Sequence, residues 1–406
     1  MKSAKNWGRL GMKFEMKTKA LRFLSDIQTG PFGSQLHKED YVDDGTPIVT
    51  VEHLGNRVFT EQNLPRVSNE DKQRLSKYIL KEGDIVFSRV GSVDRCSFVD
   101  SQHTGWLFSG RCLRVRPFEE ISPLFLYYFF CLESTKKFIR NIAVGATMPS
   151  INTKLMGEIE VSYPDKQVQE KIANLLGAID DKIELNNAIN DNLEQQAKAI
   201  FRQELLQNGE LPPNWTTGSL LDIADYLNGL AMQKFRPVDG ERGLPVLKIK
   251  ELRQGFCDYS SELCSPNIKP EFIVHDGDVI FSWSGSLLVD LWCGGTCGLN
   301  QHLFKVTSVK YPKWFYYTWT AHHLARFVAI AADKATTMGH IKREDLAKAE
   351  VIIPDVASME RIGGVLQPIY DLVINQRIEN RKLSMLRDSL LPELMSGELD
   401  VSAIEL

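Results

Sequence analysis

From residue 172 onward, apolar side chains recur at alternating steps of four and three: Ile172, Leu176, Ile179, Ile183, then Asn186 and Asn190, then Leu193, Ala197 and Ile200. That spacing keeps one stripe on one helix face and predicts a long helix with an a/d seam. A second stripe runs through Ile362, Leu366, Ile369, Val373, Gln376, Asn380, Leu383, Arg387 and Leu390, each 190 residues after its counterpart. The helices end alike, in ELLQNGEL (204 to 211) and ELMSGEL (393 to 399), with a glycine near each expected C-terminal boundary.

The pattern repeats outside the helices. ATMPSINTKLMGEIEVSYP (146 to 164) recurs as TTMGHIKREDLAKAEVIIP (336 to 354), matching Thr147 with Thr337, Ile151 with Ile341 and Pro164 with Pro354. GDIVFSRVGS (83 to 92) recurs as GDVIFSWSGS (277 to 286), separated by 194 residues, and both predict a strand leaving into a loop. TPIVTVEHL (46 to 54) and LPVLKIKEL (244 to 252) are strand-like. PLFLYYFF (123 to 130) pairs with PKWFYYTW (312 to 319), setting Phe125 opposite Phe315 and Tyr127 opposite Tyr317; helix-on-sheet core is favoured over a base-stacking platform. The chain therefore reads as a duplication. A basic segment (1–23) precedes a globular domain (24–163), a helical spacer (164–210), a second globular domain (211–353) and a second spacer (354–406). The fold class expected is mixed α/β, with the two spacers forming an antiparallel coiled coil of quasi-twofold symmetry.

In that arrangement the seam centres meet, so Asn186 and Asn190 face Gln376 and Asn380, flanked by Ile179, Ile183, Leu193, Ile369, Val373 and Leu383. A buried amide layer costs stability but penalises slipped or parallel pairings, which would strand the amides. The alternative is that the central turns are solvated or bind a partner chain. At 1.5 Å rise per residue such a seam spans about 43 Å, on the order of a dozen base pairs of DNA.

Composition adds limits. Hydrophobic residues make up 43% and charged residues 25% of the chain, ordinary for a globular protein, and seven scattered cysteines fit reduced thiols better than a disulfide framework. The longest apolar run, PLFLYYFFCL, is too short to cross a bilayer and the N-terminus lacks a secretory signal, so a cytoplasmic protein is expected. A net charge of -4 argues against a surface that is basic throughout, though not against local patches. One patch is the start itself, with Lys2, Lys5, Arg9, Lys13, Lys17, Lys19 and Arg22 against Glu15, read either as a phosphate-tracking arm, as resembling a transit peptide, or as a solvated terminus.

The helix QEKIANLLGAIDDKIELNNAINDNLEQQAKAIF, its counterpart MERIGGVLQPIYDLVINQRIENRKLSMLRDSLL, the stretch LPPNWTTGSLLDIAD (211 to 225) and the two Thr-Met loops resemble the specificity subunits of type I restriction-modification enzymes over nearly the whole chain. The resemblance implies two target-recognition domains, each reading one half of a bipartite asymmetric site in double-stranded DNA. Two helical spacers would set the gap and dock two methyltransferase subunits, joined by restriction/translocase subunits. It further implies adenine methylation and ATP-dependent cleavage by the assembly, no catalysis and no cofactor in this chain, and S-adenosylmethionine, ATP and Mg in the partners. The basic segment before Leu24 departs from the pattern.

Matched frames with different tips point to different targets. Arg89 and Val90 become Trp283 and Ser284, Ser92 becomes Ser286, and Pro149, Ser150 and Asn152 become Gly339, His340 and Lys342. Such residues donate to and accept from base edges, although they also form ordinary turns. The stretch GPFGSQLHKED (30 to 40), with Gly30, Gly33 and Ser34, reads as a flexible loop able to approach phosphates. Lys38, Arg95, Lys154, Arg236 and Arg343 are candidate phosphate ligands or plain solvated charges. Gln301 and His302 are candidate base contacts, with a hydrogen-bonded loop histidine as the alternative.

Signals for chemistry are weak. GGTCG (294 to 298) lacks the Lys-Ser/Thr of a phosphate loop, no Gly-x-Gly fingerprint is present, and Pro212-Pro213-Asn214 reverses the amino-methyltransferase order and reads as a linker. Cys257, Cys264, Cys293 and Cys297 lack paired zinc-ligand spacing, so no metal is expected. The rival to DNA reading is a duplicated scaffold that joins proteins only.

Overall fold

The computed structural model describes residues 14–31, 33, 35–206, 210–333 and 339–401. They fall into two compact units, the first formed by the described residues up to 181 and from 384 onward, the second by those between 182 and 383. The unit boundary crosses both long helices, Lys166–Leu205 and Val356–Ser396, so each helix contributes turns to both units.

In the first unit an antiparallel sheet has the order Ser25–Thr29, Cys112–Pro117, Ile85–Ser88, Cys96–Phe98. A second sheet runs Tyr41–Val42, Arg66–Val67, Thr46–Val49, Leu107–Phe108, the last two strands being parallel. Strand Lys17–Ala20 pairs antiparallel with Glu160–Tyr163. Residues 17–23, assigned from sequence to the basic segment, therefore belong to the folded unit: Leu21 is fully buried, Lys19 reaches Glu120 at 2.7 Å, and Arg22 reaches Glu158 at 2.6 Å. Lys2, Lys5, Arg9 and Lys13 lie outside the described residues.

The second unit repeats this plan. Its antiparallel sheet is Asp225–Asn228, Leu303–Thr307, Val279–Ser282, Leu288–Leu291, and Thr216–Ser219 pairs with Glu350–Ile353. Its smaller sheet is Leu263–Cys264, Leu244–Leu247, Cys297–Leu299, Ile273–Val274, again with one parallel pair. The stretches read as strand-like throughout, 46 to 54 and 244 to 252, change halfway. The first turns into a 3-10 helix at Val51–His53 and the second into an α-helix at Ile249–Gln254.

Helices Pro123–Cys131 and Lys313–His322 cover the antiparallel sheets with their aromatics inward. Phe125, Phe130, Trp314, Phe315 and Trp319 are all essentially buried, so these rings are core. Ser122 caps the first helix by accepting from the Phe125 N–H, and Gln169, on the long helix, accepts from the Ser122 N–H at 2.7 Å. That bond ties the long helix to the domain it leaves.

Within the first unit, Ile172 and Leu176 share a core with Leu391 and Leu394, and Arg387 meets Asp180 at 2.7 Å. Asp180 also accepts from the Tyr128 hydroxyl at 2.7 Å, so a buried carboxylate has two donors. Within the second unit the helices pair in opposite directions, with Asn186 against Asn380, Glu194 against Arg377 and Glu204 against Arg361. Asn186, fully buried, donates to Asn380 Oδ1 and Glu379 Oε2, both at 2.8 Å, and Asn380 donates to Asn187 Oδ1 at 2.8 Å. Centre-on-centre alignment would have set Asn186 opposite Gln376. The actual register lies one turn away, which by counting sets Asn190 opposite Gln376. Both Asn190 amide atoms and Gln376 Oε1 lack partners.

Candidate functional site

Each antiparallel sheet carries one strand that leaves into a tight turn, and each turn is clamped against a distant loop by the same two backbone bonds. In the first unit, Ile151 N–H donates to Arg89 O at 3.0 Å and Gly91 N–H to Pro149 O at 2.8 Å. In the second, Ile341 N–H donates to Trp283 O at 2.9 Å and Gly285 N–H to Gly339 O at 3.2 Å. Gly91 and Gly285 both reverse the chain with positive φ, 76° and 66°, which a side chain would strain. The strand's last serine locks the turn from inside: Ser88 donates to Val90 O at 2.7 Å, and Ser282 donates to Ser286 O at 2.9 Å. Two loops far apart in sequence thus share one fixed frame in each unit.

The side chains on these frames differ. In the first unit Arg89 is half-buried and donates to Gly110 O at 3.1 Å, Ser92 is exposed, and Ser150 donates to Val144 O at 3.2 Å. In the second, Trp283 is half-buried, donates to Asn228 Oδ1 at 3.0 Å, and lies with ring centroids 5.7 Å from Phe304 and 6.2 Å from His302 and His340. Ser284 is buried against His302 Nδ1 at 3.0 Å, whereas Ser286 and His340 are exposed. Asn152 caps the helix Thr153–Gly157 by accepting from Leu155 N–H at 2.9 Å. Lys342 starts the equivalent helix Arg343–Ala347, its N–H donating to Asp345 at 2.9 Å. Both therefore position a helix, and Lys154 and Arg343 project exposed from those first turns.

Other candidates resolve differently. Gly30 is no flexible phosphate loop: it is buried, and a Cβ there would lie 2.1 Å from Ser109 O. Gly229 plays the same part in the second unit, 2.3 Å from Asn300 O, and the aspartate four residues before each glycine, Asp26 and Asp225, is the sequence signal that would have paired them. Gly33 is exposed with open space around it, Ser34 lies outside the described residues, and of Lys38 only the backbone is described, in the turn Lys38–Asp40. Arg95 donates to Leu54 O and packs over Gly55, and Arg236 pairs with Glu262 at 3.0 Å.

Arg236, Gln301 and His302 meet at a cleft of about 410 Å³ in the second unit, together with Gln233, Lys248 and Lys250. Glu262 alone supplies a carboxylate to its lining, and hydrogen bonding from Lys248, then the Arg236 charge, holds that carboxyl below its usual range. Locally the cleft is basic although the chain is acidic. Gln301 Oε1 is buried without a partner. Gln233, Lys248 and Lys250 escaped the sequence reading because Lys248 and Lys250 looked like alternating strand positions. The pairing of Leu244–Leu247 with Leu263–Cys264 is what brings Lys248 to Glu262.

Signs of reaction chemistry are sparse. Trp215 N–H donates to Pro212 O at 3.0 Å, making Pro212-Pro213-Asn214 a turn. In GGTCG, Gly294 and Gly298 pack against Trp292 and Cys264. Cys257 hydrogen-bonds to Cys297, and burial pushes the Cys293 thiol up to about 11. Among the described residues no group of three or more His, Cys, Asp or Glu is placed to hold a metal, and no helix is long and apolar enough to cross a membrane.

Residues 15–195 match the family described as the type I restriction modification DNA specificity domain. The chain is 24% identical to the type I restriction enzyme MjaIX specificity subunit of Methanocaldococcus jannaschii, covering 95% of this chain and 94% of that one. It is 22% identical to the HindI specificity subunit of Haemophilus influenzae, covering 82% and 90%. Its fold resembles a crystal structure of a type I restriction-modification S subunit from M. genitalium, with a TM-score of 0.60 at 14% identity over 95% of this chain and 97% of the other.

Proposed function

Because the chain belongs to the specificity subunits of type I restriction-modification enzymes, we propose that it reads two different halves of a split, asymmetric site in duplex DNA, one with each unit. The observation that carries this is the repeated clamp: the same two backbone bonds hold Arg89, Val90 and Ser150 in one unit and Trp283, Ser284 and His340 in the other. A fixed frame with exchangeable tips is what direct readout needs, since base edges are told apart by a few donors and acceptors held in place.

Exposed Lys154, Lys342 and Arg343 beside the tips, and Lys250 at the cleft, suit phosphates, which set register without carrying sequence. In this reading the chain performs no catalysis. Two docked methyltransferase subunits, using S-adenosylmethionine, would methylate one adenine in each half, and restriction/translocase subunits would use ATP and Mg. A net charge of -4 accords with partners that supply much of the basic clamp.

Genome-wide methylation mapping tests the proposal in a methyl-free host expressing this chain with its modification subunit, against the modification subunit alone. A split motif that appears only with this chain supports specificity. A stable complex that yields no motif refutes it and favours the scaffold.

A further inference from the structure

The duplicated units differ most plainly in one connection. In the first unit the link between strands Thr46–Val49 and Arg66–Val67 folds inward, with Phe59 only 4% exposed and packed on His103 and Trp106. The corresponding link in the second unit, between Leu244–Leu247 and Leu263–Cys264, turns outward. Phe256 is 50% exposed there and Tyr259 102%, which makes Tyr259 as open as an isolated side chain. A ring exposed to this degree adds little to the packing of its own unit, which leaves its faces open to a partner.

The tip is well fixed. Asp258 accepts from Ser260 N–H at 2.8 Å and is itself met from its N–H side by Ser261, with N–H donating to the Ser261 hydroxyl at 3.1 Å. Lys250 reaches the residues on either side of Tyr259, Asp258 at 3.2 Å and Ser260 at 2.9 Å. Lys250 also lines the basic cleft with Arg236 and Lys248. Arg236, Lys248 and Lys250 share two carboxylates, Glu262 and Asp258, so the surface beside the ring keeps a net positive charge, and a polyanion with flat, stackable faces complements both features.

We infer that Tyr259 stacks against a DNA base in the half-site read by the second unit, and that the first unit, with Phe59 folded away, reads its half without such a contact. This rests on the DNA reading proposed above and adds a stacking element to one half only. Ring and charge divide the work: Lys250 and its basic neighbours hold the backbone, while the ring takes the face of a base at a position set by the fixed tip.

The test uses the full chain assembled with its modification subunits, and duplexes bearing the mapped motif. Affinity is measured for the native chain, Tyr259→Ala and Tyr259→Phe, on intact duplex and on duplexes with a single abasic site stepped through each half. The expected result is a loss on the order of ten- to a hundredfold for Tyr259→Ala, with Tyr259→Phe near native. One abasic position in one half should weaken the native complex and leave Tyr259→Ala unchanged, since ring and base are then removed as a pair. Tyr259→Ala binding like the native chain, losing equally at every abasic position, or weakening subunit assembly instead of DNA binding would each overturn the inference while leaving sequence reading intact. If the native complex prefers no duplex, the reading of DNA fails and this inference with it.

Discussion

Asn186 and Asn380 meet in the second unit with the Asn186 amide donating to Asn380 Oδ1 at 2.8 Å, and the Asn380 amide passes the chain on to Asn187. One turn away, Asn190 is equally buried and has no partner for either amide atom. Two amides with similar seam spacing thus have opposite energetic standing. Asn186→Ala is expected to destabilise the chain by about 1–3 kcal/mol, because Asn380 and Glu379 lose a buried donor. Asn190→Leu is expected to stabilise it by about 1 kcal/mol, since an unsatisfied amide is replaced by an apolar group of similar size. Urea denaturation of both variants checks the contrast; a loss of stability in both would mean that Asn190 has a partner.

Asp276 accepts from Arg381 at 2.7 and 2.8 Å, and this bonding outweighs partial burial to hold its carboxyl below the usual range. A depressed folded-state pKa contributes stability above the unfolded value, near 4, and that contribution is lost as pH falls through the folded value. The stability gap between the native chain and Asp276→Asn should therefore be present at neutral pH and close below about pH 4. Denaturation midpoints across that range measure it, and a gap that widens in acid would contradict the assignment.

Gly30→Ala should cost at least about 1–3 kcal/mol, because its Cβ would enter the Ser109 carbonyl, and Gly229→Ala should behave alike against Asn300. Gly33→Ala, with open space around it, should change stability by less than about 0.5 kcal/mol. Thermal melts of the three variants decide whether the first two glycines serve packing.

These glycines mark where sequence stopped short. The duplication was legible because hydrophobic spacing, Gly-Asp and Gly-Ser boundaries and the long seams each recur in matched order. Gly30 and Gly229 share only a short frame, an aspartate four residues before each, and close backbone approach itself leaves no mark on the sequence. The seams do bring the four amides together, Asn186 meeting Asn380, while the meeting point lies one turn from the seam centres because Arg377 with Asp290 and Glu194, and Arg381 with Asp276, anchor the helix there. The tips were visible as differences between repeats. The clamp that fixes them was not, because its bonds come from main-chain groups that every residue carries. Lys248 and Lys250 alternated like a strand until Glu251 accepted from the Lys248 N–H and started a helix.

Lys250→Gln should weaken binding of the assembled complex to all duplexes alike and reduce the slope of log affinity against log salt by about 0.9, the value of one phosphate contact. A change confined to one base position would instead make Lys250 a base reader.

The central claim is that each unit reads its own half. Its most direct test is methylation mapping of complexes carrying Arg89→Ala with Ser150→Ala, or Trp283→Ala with His340→Ala, each beside the native chain at equal complex abundance. The expected result is relaxed sequence in one half of the motif for the first pair, relaxed sequence in the other half for the second, and an unchanged gap in both. Motifs that stay intact, or that degrade in both halves from either pair, would contradict it.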